Sequence, residues 1–98
     1  MRVRLKQEMI EFIKRLSFEI FGSKQVWIFG SRADMSRKGG DIDIYLETSM
    51  KDDVLSSKIA FLREFEKRFG EQKVDLIINN HQKEKSIFKI AKKEGVKL

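Results

Sequence analysis

The sequence predicts one α+β domain, in which a small mixed β-sheet has helices packed on one face. Segments with helical spacing of apolar residues alternate with short apolar runs, in the order α-β-(α)-β-α-β-α. The chain has only 98 residues, which allows little more than one layer of helices on a small sheet. We find no internal repeat, linker or low-complexity segment, so residues 1–98 are expected to form a single domain.

The first half of the chain predicts a helix, a strand, a short turn and a second strand. Apolar residues at helical spacing, followed by Gly22 as a stop, predict a helix over 4–21. A continuous apolar run predicts a strand over 25–29, and a short helical turn over 32–37 and a loop at 38–40 lead to a strand over 41–47. The apolar positions of the helix are Leu5, Met9, Phe12, Ile13, Leu16 and Ile20.

The second half predicts a helix, a strand and a final helix with an extended tail. Ser49 and Asp52 resemble a helix-capping pair, with Asp52 and Asp53 placed favourably in a first turn. An apolar stripe then runs to Gly70, which ends the helix, and a strand follows over 73–78. The stripe consists of Leu55, Ile59, Leu62, Phe65 and Phe69, and the last helix is indicated by Ile87, Phe88, Ile90 and Ala91, before an extended piece at 95–98.

The composition is that of a folded protein with a highly charged surface, with 41% hydrophobic and 37% charged residues. The net charge of +6 favours an anionic partner such as nucleic acid, nucleotide or an acidic protein, although a solubilising surface explains it equally well. The absence of cysteine excludes disulfides and thiolate metal sites. No apolar stretch approaches the ~20 residues of a membrane span. The basic N-terminus continues into an amphipathic pattern instead of a signal peptide, so we expect a cytoplasmic protein without membrane contact.

Three aspartates lie within predicted strands. Asp41 and Asp43 flank Ile42 and therefore point to the same face, and Asp75 lies in the apolar run 74–78. Like charges ~4 Å apart repel by about 4 kcal/mol at an effective dielectric constant near 20. A divalent cation would remove this repulsion, and carboxylate oxygens suit Mg²⁺. For the pair alone, the solvent face of a half-exposed sheet is the more common interpretation, and Asp75 together with the upstream Gly30-Ser31 favours the metal site.

The dipeptide Gly30-Ser31 directly follows the first predicted strand. Glycine lets the backbone approach an anion closely, and N–H groups at the start of a following helical turn favour negative charge. The Ser31 hydroxyl can donate one further hydrogen bond. In isolation the dipeptide is typical of a simple turn. Its distance from the aspartates favours a phosphate contact.

Together these residues resemble the polymerase-beta-like nucleotidyltransferase superfamily, in particular its minimal nucleotidyltransferases. The family pattern is an apolar residue, Gly and Gly or Ser, a spacer, and then an acid, an apolar residue and an acid. Here Phe29-Gly30-Ser31 is followed by nine residues and Asp41-Ile42-Asp43. Arg32-Ala33 is also typical of the minimal group, and Asp75 matches the third acid of the family. The resemblance covers residues 5–80 and extends to 91–96, with Gly40 where the family often has serine.

The resemblance implies transfer of a nucleoside monophosphate to a hydroxyl group with two Mg²⁺ ions, which in such sites lie ~3.5–4 Å apart. Asp41 and Asp43 would bridge both ions, and Asp75 would ligate the ion at the attacking oxygen and assist its deprotonation. Gly30 and Ser31 would hold the terminal phosphates. Arg32, Arg37 and Lys38 are close enough in sequence to contact the triphosphate, with solvated surface charge as the alternative.

The resemblance also implies a partner. Minimal nucleotidyltransferases commonly accompany a HEPN-domain toxin, and as antitoxins they transfer AMP from ATP to a tyrosine of that toxin. A binding module that acts by complex formation without turnover is a second hypothesis. A catalytic subunit for a small-molecule or nucleic-acid acceptor is a third. The residues indicate neither the nucleotide, the acceptor, the number of monophosphates added nor the oligomeric state. Trp27 and Tyr45 are expected to pack in the core, and His81 to lie in a loop.

Overall fold

The computed structural model describes residues 3–37 and 39–98. Within these ranges, the elements alternate between helix and strand almost as the sequence predicts. They are α1 (Gln7–Phe21), β1 (Gln25–Phe29), a 3₁₀ turn (Gly30–Ala33), β2 (Ile42–Glu47), α2 (Val54–Phe69), β3 (Val74–Asn79), α3 (Ser86–Glu94) and β4 (Val96–Lys97). No helix in the described part of the chain is both long and apolar enough to cross a membrane.

The strands form one mixed sheet in the order β3-β2-β1-β4. β1 pairs antiparallel with both β2 and β4, whereas β2 and β3 pair in parallel. Parallel neighbours need a crossover connection, which α2 provides. This crossover brings the beginnings of β2 and β3 to the same end of the sheet.

The two faces of the sheet bury different sets of residues. α1 and α2 cover one face, where Ile13 and Phe65 pack with Ile28 and Ile44. α3 covers part of the opposite face, where Phe88 and Ala91 pack with three aromatic residues, Trp27, Phe29 and Tyr45. The predicted α+β fold is therefore confirmed. α1 and α2 share one face of the sheet, as predicted, whereas α3 does not. α3 lies on the other face because strand alternation presents Trp27 and Tyr45 there. Both side chains are buried in packing contacts, as expected.

Two boundaries near the N-terminal half differ from the prediction. α1 begins at Gln7 instead of residue 4, because the backbone N–H of Arg4 donates to the carbonyl of Arg32, 2.8 Å away. The helical turn predicted over 32–37 is a 3₁₀ turn over Gly30–Ala33. It stops early because Asp34 leaves the helical conformation and its carboxylate accepts hydrogen bonds from the N–H and hydroxyl of Ser36. The predicted loop residue Lys38 lies outside the described residues.

The start of α2 also differs from the prediction. The helix begins at Val54 after Asp53, so the Ser49–Asp52 pair does not cap it. The hydroxyl of Thr48 organises this connection instead, because it donates to the Phe21 carbonyl and accepts from the Met50 N–H.

The apolar stripe predicted on α2 is correct only in its second half. Leu55 and Ile59 are 71% and 48% exposed, and Phe61 is buried with Phe65. At 3.6 residues per turn, Ile59 lies roughly 140° around the helix from the row that Phe61 and Phe65 define. The buried face is therefore set by the two phenylalanines, with Leu62 and Phe69 partly buried beside them.

Candidate active site

Two of the three predicted acids meet at one end of the sheet. Parallel pairing of β2 and β3 places Asp43 directly beside Asp75. Asp43 is half-buried and Asp75 is exposed. Burial raises the pKa of Asp43 above its ordinary value, and the charge of Asp75 and its hydrogen bond to Asp43 raise that pKa further. Asp41 adds to the effect, which Lys73 partly offsets. The site therefore holds a carboxylate whose charge is only partly neutralised by protein groups.

The third acid has a different partner. Asp41 lies just before β2, and its Oδ2 is 3.6 Å from Nζ of Lys73, the residue that precedes β3. Within the described residues, no three acidic or histidine side chains converge in a metal-binding arrangement. The expectation that three carboxylates converge thus holds for Asp43 and Asp75, whereas Asp41 pairs with Lys73. The assignment of all three as metal ligands stays a prediction.

The acidic residues nevertheless suit a hard cation. Asp43 and Asp75 offer adjacent oxygen ligands, and a cation would relieve the repulsion that raises the pKa of Asp43. The Asp41–Lys73 pair is more than half exposed on both sides, and such pairs contribute at most about 1 kcal/mol. Reorienting Asp41 toward a cation would therefore cost little. The donor set fits Mg²⁺.

Gly30 makes room for the buried carboxylate. Its φ is +69°, in the left-handed region that favours glycine. A side chain at this position would overlap Oδ2 of Asp43. The sequence predicts that Gly30 lets the backbone approach a phosphate closely. The structure adds that this glycine also seats Asp43.

Ser31 lies in the same turn, at the end of β1 where Phe29 pairs with Asp43. Its hydroxyl faces Gly39, where a Cβ atom would come within 2.8 Å of Ser31 Oγ. The fold thus brings the Gly30-Ser31 turn next to the Asp43–Asp75 pair, as the spacing in the sequence suggests. The role of the turn in phosphate binding stays a prediction.

Arg32 has a structural use that the sequence did not indicate. Its Nη1 donates to the Arg4 carbonyl at 2.8 Å, and its Nη2 donates to the Gly40 carbonyl at 3.1 Å. Arg4 in turn donates through Nη2 to the carbonyls of Ser31 and Gly39, at 3.0 and 3.3 Å. A contact of Arg32 with nucleotide stays a prediction. Arg4 carried no recognisable signal, since it is one basic residue at the start of the helix predicted over 4–21.

A second polar cluster lies farther along the same face of the sheet. The Tyr45 hydroxyl donates to Glu47 Oε2 at 2.7 Å and accepts from Asn79 at 3.0 Å, while Lys92 Nζ lies 3.3 Å from the same Glu47 oxygen. Burial raises the pKa of Tyr45 to about 12. These residues line a cleft of about 400 Å³. Its exposed rim consists of Lys83, Glu84, Lys85, Lys89 and the loop residue His81.

Asp43, Tyr45 and Glu47 alternate along β2, so the cleft and the acidic pair share one face. At 3.3 Å per residue, the cleft extends from roughly 7 to 13 Å beyond Asp43. A molecule bound at the acidic pair can therefore reach into the cleft without crossing a strand.

A mixed sheet backed by two helices, with adjacent strand carboxylates beside a Gly-Ser turn, defines a nucleotidyltransferase domain. The chain matches the family model described as "Polymerase beta, Nucleotidyltransferase" over residues 7–98, and it belongs to that family. The superfamily resemblance and the general activity, nucleotidyl transfer, are thereby confirmed. A comparison with curated proteins found no match.

Proposed function

We propose that this domain is a Mg²⁺-dependent adenylyltransferase that transfers AMP from ATP to a tyrosine hydroxyl of a HEPN-domain toxin, and so acts as its antitoxin. The observation that carries the catalytic part is the contact of Asp43 with Asp75 beside the Gly30-Ser31 turn. The choice of acceptor rests on the resemblance of residues 29–33 and 41–43 to minimal nucleotidyltransferases.

Each residue has a role in this proposal. Asp41, Asp43 and Asp75 hold the cations, and the Ser31 hydroxyl and the N–H groups of its turn hold the terminal phosphates. Bound Mg²⁺ supplies charge neutralisation on the triphosphate and makes the attacking hydroxyl more acidic. Asp75 is exposed and takes up the proton of the acceptor hydroxyl. The hydroxyl oxygen bonds to the α-phosphorus as the bond to the bridging oxygen breaks, and pyrophosphate leaves.

The direct test is the intact mass of a HEPN-domain protein encoded beside this one, after incubation with the domain, ATP and Mg²⁺. We expect the HEPN protein to gain one or more AMP units, and no gain with the Asp43→Asn variant. Parallel reactions with the other three nucleoside triphosphates identify the nucleotide. A stable complex without a mass gain would contradict turnover.

Antitoxin action by binding alone is the second candidate. One observation favours it: the three predicted metal ligands do not converge within the described residues, since Asp41 pairs with Lys73. In this case the HEPN protein binds equally well to wild type and to Asp43→Asn, and neither reaction changes its mass. The mass measurement and a binding measurement on the same samples therefore separate the two candidates.

The lysine-rimmed cleft favours one further acceptor class, nucleic acid. If an oligonucleotide is the acceptor, its affinity falls steeply with salt, because phosphate contacts release counterions. An oligonucleotide that shows no such dependence and receives no nucleotide would exclude this acceptor class.

Ser31→Ala is expected to weaken ATP binding roughly fivefold, since one hydrogen bond to the nucleotide contributes about 1 kcal/mol. The substitution leaves Gly30 and Asp43 in place, so the melting temperature should change little. Isothermal titration calorimetry with ATP measures the effect. Ser49→Ala is the matched control, because Ser49 is exposed and does not cap α2. Unchanged ATP affinity in Ser31→Ala would remove Ser31 from the binding site.

A further inference from the structure

Two arginines tie the N-terminal segment to the loop that connects the Gly30-Ser31 turn with Asp41. Arg4 and Arg32 donate to each other's backbone carbonyls, Arg32 through its guanidinium and Arg4 through its N–H, both at 2.8 Å. Both guanidinium groups also contact the loop. Arg4 Nη2 bridges Ser31 and Gly39, and Arg32 Nη2 contacts Gly40. We call this set of five hydrogen bonds the arginine clamp.

The acceptors of the arginine clamp show what it fixes. The carbonyl of Ser31 belongs to the Gly30-Ser31 turn, and Gly40 immediately precedes Asp41. The bridge from Ser31 to Gly39 also sets the distance between the Ser31 hydroxyl and the loop that faces it. Both ends of the loop are therefore tied to the same pair of side chains. Gly39 and Gly40 have no side chains of their own that could anchor it.

Global stability alone is a poor explanation for this arrangement. Nε of Arg4 and Nε of Arg32 are buried and lack a hydrogen-bond partner among the described residues. Such unsatisfied buried donors destabilise a fold. The planar fork of Arg32 holds the carbonyls of Arg4 and Gly40 in fixed geometry, which lysine cannot do. Arg4 contacts the carbonyls of Ser31 and Gly39 through one nitrogen, Nη2, at the end of its side chain.

We propose that Arg4 is a positioning residue of the active site, which together with Arg32 holds the Gly30-Ser31 turn and residues 39–40 in the conformation that receives the terminal phosphates. Arg4 does not touch the nucleotide in this account, and acts through the carbonyls of Ser31 and Gly39. The proposal rests on the proposed function, because it assigns the turn to phosphate binding. It makes the segment ahead of α1 a part of the site.

The test compares Arg4→Lys and Arg4→Gln with Arg63→Gln, an exposed arginine on α2 that serves as the matched control. We expect the Kd for ATP to rise about tenfold in both Arg4 variants, because the lysine and glutamine side chains are shorter and do not place a donor nitrogen where Arg4 Nη2 contacts both carbonyls. At saturating ATP, kcat should stay within about twofold, since the acidic residues are unchanged. Arg63→Gln should match wild type in both constants.

A measurement on the nucleotide-free protein tests the arginine clamp independently of nucleotide binding. In the free protein, ¹⁵N–¹H heteronuclear NOE values report picosecond-to-nanosecond motion of the backbone. We expect the values of Gly39 and Gly40 to fall in Arg4→Lys and to stay unchanged in Arg63→Gln. In a double-mutant cycle with Arg32→Gln, the second substitution should add much less than it does alone, because either one releases the loop.

Each outcome decides between the alternatives. Wild-type affinity in Arg4→Lys with a loss in Arg4→Gln would overturn the proposal, since it would show that the charge of Arg4 acts on the phosphates directly. Unchanged NOE values in both Arg4 variants would overturn it as well. Failure of the wild type to bind any nucleotide would contradict the proposed function, and the NOE comparison would still confirm or overturn the clamp.

Discussion

Replacing Asp43 with asparagine is expected to abolish nucleotidyl transfer and, at the same time, to raise the free energy of unfolding of the metal-free protein. Loss of activity of at least about 100-fold is the scale for removing one preorganised electrostatic group from a transition state. The gain in stability follows from the site itself. Asp43 is half-buried beside Asp75, and an asparagine side chain would carry no charge into that position.

The raised pKa of Asp43 determines how the stability difference between the wild type and Asp43→Asn changes with pH. The pKa of Asp43 is raised in the folded protein above the ordinary value of 3.8. As pH rises from 3.8 through the raised pKa, the unfolded chain releases this proton before the folded one does. The carboxyl therefore destabilises the folded state increasingly over this window and by a constant amount above it. The stability advantage of Asp43→Asn should be absent below this window, grow across it, and then level off.

Urea unfolding of the wild type and of Asp43→Asn between about pH 3.5 and 7, without Mg²⁺, measures this difference. Asp52→Asn is the matched control, because Asp52 is an exposed carboxylate away from the acidic pair. Added Mg²⁺ should stabilise the wild type and leave Asp43→Asn nearly unchanged. Full transfer activity in Asp43→Asn would exclude a catalytic role for this residue.

The second large effect is expected for Gly30→Ala, which should disrupt both stability and activity. The backbone at Gly30 has φ +69°, which costs an alanine about 1–2 kcal/mol. The new methyl group would also overlap Oδ2 of Asp43, and overpacking adds about 1–3 kcal/mol. Since the carboxylate must move to relieve the overlap, activity should fall with stability.

Gly22→Ala separates the two causes. Gly22 has a similar φ of +63°, but a Cβ atom there would meet nothing within 4 Å. This variant should lose only the backbone contribution and keep full activity. Chemical denaturation and initial rates of transfer compare the two variants. If Gly30→Ala lost no more stability and activity than Gly22→Ala, the close approach of Gly30 to Asp43 would not matter for either.

The sequence predicts the secondary structure well where local residues alone determine it. β1 occupies the predicted residues, because an apolar run bounded by Gly30 is unambiguous. α2 ends at Phe69 before Gly70, as the C-terminal glycine predicts. The errors arose where distant partners intervened. The backbone N–H of Arg4 donates to the carbonyl of Arg32, so residue 4 does not join α1. On α2, Phe61 and Phe65 face the core, and Leu55 and Ile59 are exposed.

The sequence predicts which residues form the candidate site better than it predicts their arrangement. Strand alternation gave the shared face of the acids, but nothing in the sequence required β3 to pair with β2 in parallel. That pairing alone makes Asp43 and Asp75 neighbours. The same pairing puts Lys73 beside Asp41, which no local pattern announced. The space that Gly30 leaves for Asp43 depends on the antiparallel register of β1 and β2.

The parallel pairing of β2 with β3 has a consequence for how the chain becomes active. Asp43 and Asp75 are far apart in sequence and meet only after α2 has crossed over and β3 has docked in register. Such non-local pairings are the slow steps of folding, because the intervening loop must be ordered before any contact forms. A slip of one residue would turn the Asp75 side chain to the opposite face. The acidic pair is thus absent from partly folded chains and from misregistered ones, which would restrict the proposed cation binding to the correctly folded molecule.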